Sequence, residues 1–348
     1  MRYVQLGRSG LKVSDLCLGT MTFGEEFGIG SDEAECRKIF DAYVDAGGNF
    51  FDTANIYNRG TSEQMLGKFV GAERDRYIVA TKYTLSMRPH DPNAGGNHRK
   101  NLVCALEQSL QRLDTDYIDL YWVHGWDQLT PVSEVMRALD DQVRAGKILH
   151  LGISNAPSWW VAAANTLAQE RGWTPFTALQ LHYNLVERSI EADFMELAEH
   201  QGMSITAWSP LAGGLLTGKF DADSDPQARE GARLAAGPMA ERTMTDINRE
   251  AAAGLSALAR EHGVTPAQLA LAWMLRRGDA PVLPIIGARK LSQLQDNLAS
   301  SDVSIDADAI RRLDALKPPP VSYPRSLLAS EFFHTMMYGE HHAELLGH

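Results

Sequence analysis

Eight short apolar runs, each followed by a helix-like stretch, constrain the fold of this chain more than any other feature. Several runs are apolar on both faces, as expected for parallel strands that helices cover. Repeated strand-then-helix units predict an α/β fold, a single (β/α)8 TIM barrel. The runs are Asp15–Leu18, Asn49–Asp52, Tyr77–Thr81, Asp119–His124, Ile148–Ser154, Ala178–Leu181, Ser204–Trp208 and Leu283–Ile286.

Helix signals occupy the stretches between these runs. Ser31-Asp32-Glu33 begins the first helix, which runs to Ala46 and stops at Gly47-Gly48. Proline fits the first turn of two later helices. The other predicted helices begin at Thr61, cover Arg99–Leu113, extend from Pro131 to near Gly146, begin at Pro157, cover Glu187–Gln201, Asp246–His262 and Pro266–Arg276, and begin near Ser292.

Charge and cysteine content argue against several classes of protein. The net charge of −11, without a block of like charges, disfavours nucleic acid and anionic membranes as partners. No apolar run reaches the roughly 18 residues needed to span a bilayer, and the first residues lack a signal-peptide core. Cys17, Cys36 and Cys104 are widely spaced. We therefore expect reduced thiols, a cytoplasmic protein and no metal site.

Four polar residues stand at or just past the ends of strand-like runs: Asp52, Tyr57, Lys82 and His124. In a barrel of parallel strands, those ends meet at one rim, where active sites are built. The four side chains offer a proton donor, a cation to tune it, an anion to hold the cation, and an imidazole. Each residue alone is commonly a surface or core residue, so the joint placement carries the interpretation. This set suits the reduction of a carbonyl.

Tyr57 is the candidate general acid, because a carbonyl that receives a hydride must be neutralised by a nearby O–H. A free tyrosine has a pKa near ~10, and a cation beside its oxygen lowers that value. Lys82 would supply the cation, and Asp52 would hold Lys82 and keep it protonated. His124 would donate to the carbonyl oxygen or assist Tyr57, depending on its tautomer.

Three segments do not belong to the alternating strands and helices. Residues Met1–Lys12 are expected to form a hairpin that plugs the barrel floor, and the glycine-rich stretch Ser209–Thr245 is long enough to be functional. The tail after Pro318-Pro319-Pro320 is too apolar for a disordered end. We expect one domain over residues 1–348, with a core of about 1–316. The tail 317–348 would pack near the active site or at a subunit interface of a homo-oligomer.

Six ordered motifs together resemble those of the aldo-keto reductase family, over about residues 1–316. The Gly218-Lys219 pair and the Gly-x-Arg turn resemble its bacterial members related to potassium-channel β subunits. The motifs are Gly48–Tyr57 with the following Ser62-Glu63, Thr81-Lys82, Asp116–His124, Gly152–Asn155, Ser209–Lys219, and Ile285–Arg289 with Gln293 and Asn297.

The resemblance implies NADP(H) as the cofactor. Ser154, Asn155 and Gln180 would contact the nicotinamide carboxamide, and the ring of Trp208 would stack on the nicotinamide. The loop that ends at Lys219 would bind the pyrophosphate through backbone N–H groups and charge. The implied cofactor residues are Gly19, Thr20, Met21, Asp52, Ser154, Asn155, Gln180, Trp208, Ser209, Pro210, Leu211, Gly213, Lys219, Arg233, Gly287, Arg289, Gln293, Asp296 and Asn297.

The expected preference between NADPH and NADH depends on Arg289. Arg289 at a helix start favours a dianionic phosphate, and therefore NADPH over NADH. Gln293, Asp296 and Asn297 would meet the adenine, and Arg233 would close over the phosphate from the long loop. The glycine pair Gly28-Ile29-Gly30 lacks the third glycine of a nucleotide-binding turn, which argues against a doubly wound dinucleotide fold.

Aromatic residues define the expected substrate pocket. Phe23, Tyr57, His124 and Trp126 would line it, which favours an apolar or aromatic aldehyde or ketone as the small-molecule partner. Two other functions stay open. The first is an NADP(H)-binding redox sensor or regulatory subunit with slow turnover, and the second is a barrel hydrolase or isomerase that needs no nicotinamide.

Overall fold

Eight parallel strands close into a barrel, which confirms the predicted fold class. The computed structural model describes residues 1–221, 238–321, 323–341 and 344–345. Its strands are β1 (Tyr3–Gln5), β2 (Lys12–Ser14), β3 (Cys17–Gly19), β4 (Phe50–Asp52), β5 (Ile78–Tyr83), β6 (Ile118–Val123), β7 (Ile148–Ser154), β8 (Phe176–His182), β9 (Ser204–Trp208) and β10 (Val282–Ile286). Strands β3 to β10 pair in chain order, and β10 closes the ring against β3.

Helices cover the outside of the barrel. Phe40 of the first helix stacks on Phe51 of β4 with ring centroids 5.0 Å apart, which is typical of the layer between helices and strands. Within the described residues, no helix is long and apolar enough to cross a membrane. The helices are α1 (Glu33–Asp45), α2 (Thr61–Val70), α3 (Arg99–Leu113), α4 (Val132–Arg144), α5 (Ser158–Arg171), α6 (Phe194–Gln201), α7 (Pro238–Thr243), α8 (Asp246–Glu261), α9 (Pro266–Met274), α10 (Leu291–Leu298), α11 (Ala307–Leu316), α12 (Arg325–Leu328) and α13 (Glu331–Tyr338).

The antiparallel hairpin of β1 and β2 closes the floor of the barrel. Leu6 and Val13 are fully buried and pack with Cys17 and Phe50, the first residues of β3 and β4. The backbone N–H of Gly7 donates to the hydroxyl of Ser204 at the start of β9, over 2.7 Å. The predicted hairpin is therefore present, and its apolar side chains fill the amino-terminal end of the barrel interior.

The two-residue period of the strands places polar side chains directly above this apolar interior. On four strands, an inward apolar residue is followed two positions later by a polar residue that points the same way. The pairs are Phe50 and Asp52, Ala80 and Lys82, Trp122 and His124, and Ala178 and Gln180. The barrel interior thus changes from an apolar plug to a polar layer over two residues along each of these strands.

Two helix predictions need correction. The predicted helix Glu187–Gln201 is wrong in its first half, because regular α-helix begins only at Phe194. The side chain of Arg188 is buried instead, where it pairs with Glu191 over 2.7 Å and donates to the carbonyl of Asp314. This buried contact holds the chain in a short 3₁₀ turn. The prediction of a last helix near Ser292 also missed α11, α12 and α13.

The described part of the tail presents apolar side chains to solvent. Phe332 and Met336 of α13 are each 69% exposed, and Leu328 of α12 is 50% exposed. Arg325 pairs with Glu196 of α6 over 2.5 Å, which connects the tail to the barrel. The expectation that this apolar face packs near the active site or against another subunit stays a prediction.

Replacing Leu6 with alanine tests the floor plug. Leu6→Ala removes a fully buried side chain, so we expect the free energy of unfolding to fall by roughly 2–5 kcal/mol. The matched control is Leu129→Ala, because Leu129 is 88% exposed and its loss should change stability by less than about 0.5 kcal/mol. Urea unfolding measures both; equal effects would contradict the proposed packing.

Candidate active site

A lysine with no solvent exposure lies at the centre of the barrel rim. The ammonium of Lys82 donates to Asp52 Oδ2 over 2.5 Å, to the carbonyl of Thr53 over 2.7 Å and to Tyr57 Oη over 3.0 Å. An ammonium has three N–H donors, so all three are used. The structure thus brings together Asp52, Tyr57 and Lys82 from three separate segments.

The surroundings of Lys82 keep it charged. Burial alone would lower the pKa of Lys82, but Asp52 and Tyr57 outweigh it and raise that pKa above its ordinary value. The second oxygen of Asp52 accepts from Gln180 Nε2 over 2.8 Å, across the barrel from β8. The carboxylate is therefore held from both sides, and it fixes the ammonium beside the phenol.

His124 stands beside the phenol as a neutral imidazole. Its ring centroid lies 6.1 Å from that of Tyr57, with the planes at 83°. Burial, followed by the charge of Lys82, lowers the pKa of His124 to about 3. Its Nδ1 has no hydrogen-bond partner in the part of the chain that the structure describes. A neutral imidazole carries one N–H, so His124 can donate a hydrogen bond without adding positive charge.

A buried polar layer behind the rim fixes the strand ends. Ser62 hydrogen-bonds the hydroxyls of Thr20 and Thr53 over 2.8 and 2.9 Å, and Glu63 accepts from Thr81 over 2.5 Å. All five residues have no exposed surface. In the sequence, Ser62 and Glu63 stood out only as part of the motif that begins at Gly48. Their contacts show that they also fix the segments that carry the catalytic candidates.

A cavity of about 800 Å³ opens at the rim, here called the rim cavity. It extends from Tyr57 and His124 to the start of α10. Most of the residues predicted to bind a cofactor share this one space. Those that line it are Gly19, Met21, Asp52, Ser154, Asn155, Gln180, Trp208, Ser209, Pro210, Leu211, Gly213, Lys219, Gly287, Arg289, Gln293, Asp296 and Asn297.

Two cations face the far end of the rim cavity. Burial, and then the nearby charge of Arg289, lowers the pKa of Lys219. Gly214 has φ = 103°, and a Cβ there would lie 2.5 Å from the Lys219 ammonium. The glycine therefore makes room for the lysine beside a second cation. Two cations held close in a partly buried cleft favour binding of a polyanion such as a phosphate.

Two predicted adenine contacts already have partners within the fold. Gln293 accepts from the backbone N–H of Arg289 over 2.9 Å. Asp296 accepts from Thr265 and from Gln268 Nε2, the second over 2.7 Å, at the capped start of α9. Asp296 lines the rim cavity, but its carboxylate also stabilises a helix end. The sequence pattern alone did not indicate that second use.

Asn155 links three parts of the rim. Its amide donates to the carbonyl of His124 over 3.0 Å and to Ser154 Oγ over 2.9 Å, and accepts from Trp208 Nε1 over 3.3 Å. The ring of Trp208 stacks on His182 with centroids 4.0 Å apart. Sequence reasoning missed His182, although it lies two positions past another rim residue on β8. These contacts hold the indole in one orientation.

Four predicted site residues do not reach the cavity wall or cannot be placed. Thr20 is buried in the polar layer behind the rim, and Phe23 is fully buried against the Phe69 ring, 5.9 Å away. Trp126 packs edge-to-face on Trp159 with centroids 5.7 Å apart. Arg233 lies outside the described residues. Of the four residues predicted to line the substrate pocket, Tyr57 and His124 line the cavity, whereas Phe23 and Trp126 do not.

Apolar side chains from loops also line the rim cavity. Phe27, Ile29, Ile56 and Leu85 border the rim cavity, which Tyr57 also lines. Each lies in a loop that follows a strand, so the only signal in the sequence is an apolar residue within a loop. No cluster of histidine, cysteine, aspartate or glutamate able to hold a metal occurs among the residues described. Cys17 and the other two cysteines are free thiols.

Comparison with known proteins gives one consistent result. The sequence profile of the Aldo/keto reductase family matches residues 15–318. A norsolorinic acid reductase of Aspergillus flavus is 36% identical over 92% of this chain and 82% of the relative. A putative aryl-alcohol dehydrogenase of Saccharomyces cerevisiae is 33% identical over 93% and 88%. An oxidoreductase of Bacillus subtilis is 38% identical over 92% and 97%.

The ionisation of His124 can be measured directly. Because burial lowers its pKa from 6.5 to about 3, we expect neutral imidazole nitrogen shifts from pH 8 down to about pH 5 in ¹⁵N NMR. His124→Gln identifies the signal. In the unfolded chain, His124 binds this proton more readily than in the folded protein. The contribution of neutral His124 to the free energy of unfolding is therefore full above pH 6.5 and is lost as pH falls towards 3. Titration near pH 6.5 in the native state would contradict the assignment.

Proposed function

The chain belongs to the aldo/keto reductase family, and we propose that it reduces aldehydes and ketones to alcohols with NADPH, in a reversible reaction. The observation that carries the proposal is the buried ammonium of Lys82, which joins Asp52 to Tyr57 at the wall of the rim cavity.

Tyr57 acts as the general acid. NADPH, when bound, supplies a hydride to the carbonyl carbon. Tyr57 donates its phenolic proton to the carbonyl oxygen, and Lys82 stabilises the resulting phenolate through the contact of 3.0 Å. Because Lys82 is fully buried, its charge acts on Tyr57 with little screening by water.

His124 orients the substrate. As a neutral imidazole, it donates a hydrogen bond to the carbonyl oxygen and leaves proton transfer to Tyr57. Asn155 holds the carbonyl group of His124 and so fixes the backbone beside the reacting centre. Asp52 and Gln180 prevent the ammonium from turning away from the phenol.

The cationic end of the rim cavity suits a dinucleotide with an extra phosphate. Burial, and then the nearby charge of Arg289, lowers the pKa of Lys219, and a bound phosphate relieves the repulsion between the two cations. Gly214 leaves the space that the lysine needs. Ser154, Asn155 and Gln180 offer polar groups for a carboxamide at the other end. These features support NADPH over NADH.

The substrate is an apolar or aromatic carbonyl compound. Phe27, Ile29, Ile56 and Leu85 give the cavity that Tyr57 lines an apolar wall. The yeast relative is named an aryl-alcohol dehydrogenase, which agrees with this wall. Reduction of 4-nitrobenzaldehyde by the purified protein with NADPH tests the proposal, and brisk turnover distinguishes an enzyme from a redox sensor.

Replacing Tyr57 with phenylalanine tests the acid. Tyr57→Phe keeps the ring and removes the proton, so we expect kcat to fall by roughly 10²–10⁴-fold with the Kd for NADPH nearly unchanged. Steady-state kinetics and a fluorescence titration measure the two quantities. Tyr338→Phe, in an exposed tail helix, is the matched control. An unchanged kcat in Tyr57→Phe would refute the assignment.

Removing the guanidinium of Arg289 tests the cofactor preference. Arg289→Ala deletes a charged hydrogen-bond donor, which is worth about 10- to 100-fold in affinity. We expect the Kd for NADPH to rise by that factor while the Kd for NADH changes little. Arg311→Ala, an exposed helix position, serves as control. Equal losses for the two cofactors argue against a contact with the 2′-phosphate.

A further inference from the structure

The chain reverses direction directly after Tyr57 through three left-handed residues. Asn58, Arg59 and Gly60 have φ angles of 44°, 55° and 99°. Glycine adopts this conformation at no steric cost, whereas other residues lose about 1–2 kcal/mol there. Asparagine tolerates it best among the others, but glycine would still be favoured by the backbone. A role for the asparagine side chain accounts for its presence.

The amide of Asn58 is fully buried and binds a single neighbouring loop. Nδ2 donates to the carbonyl of Met21 over 2.9 Å and to that of Phe23 over 3.0 Å. Oδ1 accepts from the backbone N–H of Phe27 over 2.9 Å. Asn58 has no exposed surface, so these contacts satisfy its amide away from water. The loop formed by residues 20–31, between β3 and α1, is here called the wall loop.

The wall loop is closed on itself. The N–H of Gly24 donates to the carbonyl of Ser31 over 3.1 Å, and the N–H of Ser31 donates to Thr22 over 2.9 Å. The backbone at Gly30 passes so close to Gly24 that a Cβ there would lie 1.7 Å from the carbonyl oxygen. The loop therefore behaves as one compact unit, and a contact at one point restrains the whole of it.

The opposite side of the wall loop binds the segment that carries Arg289. Thr22 Oγ1 donates to the carbonyl of Ala288 over 2.7 Å, and Ser31 Oγ donates to that of Arg289 over 2.7 Å. The loop thus spans from the residue after the phenol to the cationic end of the rim cavity. Between these attachments, Phe27 and Ile29 face the cavity.

We propose that Asn58 is a positioning residue that clamps the wall loop to the chain segment of Tyr57 and thereby sets the distance between the proton donor and the apolar substrate wall. The consequence for substrates rests on the proposed reductase function. The clamp itself rests only on contacts within this chain. Asn58 is not among the residues that line the rim cavity, so its effect is on how well large carbonyl compounds fit.

The first experiment measures the clamp without cofactor. Asn58→Gly keeps the left-handed backbone and removes the amide, whereas Arg59→Gly makes the same backbone change at an exposed neighbour. Asn58→Gly removes three hydrogen bonds, so we expect amide hydrogen exchange at residues 22–29 to rise by at least about tenfold, the factor for one of them. Arg59→Gly should stay within about twofold of the parent protein.

The second experiment separates fit from chemistry. For Asn58→Gly we expect KM for 4-nitrobenzaldehyde to rise about tenfold, with kcat changed less than threefold. KM for propanal, which is too small to span the cavity to the wall loop, should change little. A general loss of stability would not alter the ratio of the two kcat/KM values. Thermal unfolding checks that each variant is folded.

The outcomes are distinct. Faster exchange together with a selective rise in KM supports the proposal, whereas unchanged exchange, or equal effects on both aldehydes, overturns it. If Asn58→Gly does not fold, Asn58→Asp keeps the acceptor for Phe27 and loses the donors to Met21 and Phe23, so it must show the same pattern. If the parent protein reduces no carbonyl, the proposed function fails while hydrogen exchange still decides the clamp.

Discussion

The pairing of Lys82 with Asp52 is the contact on which the rest of the rim depends. A buried ammonium is costly unless it has a close anion and satisfied N–H groups, and breaking such a pair leaves an uncompensated charge. Here the carboxylate, a backbone carbonyl and a phenol satisfy all three donors. The polar layer behind the strand ends and the amide of Gln180 maintain that geometry. Structural contacts thus hold the Lys82 ammonium beside the phenol of Tyr57.

The rim cavity combines two environments that would not coexist on an open surface. One end concentrates cations in a protein whose net charge is −11, and the other end is apolar. Between them lie amide side chains and the indole of Trp208. A ligand with a charged part and a flat, weakly polar part matches this division better than a uniformly polar one.

The sequence predicted the barrel and its catalytic candidates because both follow from short-range patterns. A two-residue period and strand ends suffice to place Asp52, Lys82 and His124 on one rim. The apolar wall was missed because Phe27 and Leu85 lie in loops, whose paths depend on distant contacts. The helix predicted from Glu187 failed for the same reason, since a buried ion pair outweighed local helix propensity. Phe23 carried a plausible residue type but faces the core.

The floor plug also imposes an order on the assembly of the molecule. Gly7 finds its hydrogen-bond partner on Ser204, 197 positions further along the chain. During synthesis, the first hairpin leaves the ribosome long before that partner exists. Leu6 and Val13 therefore cannot reach their buried positions until most of the barrel strands have been synthesised. A hairpin made before the barrel therefore reaches its final place only after most of the barrel has been made.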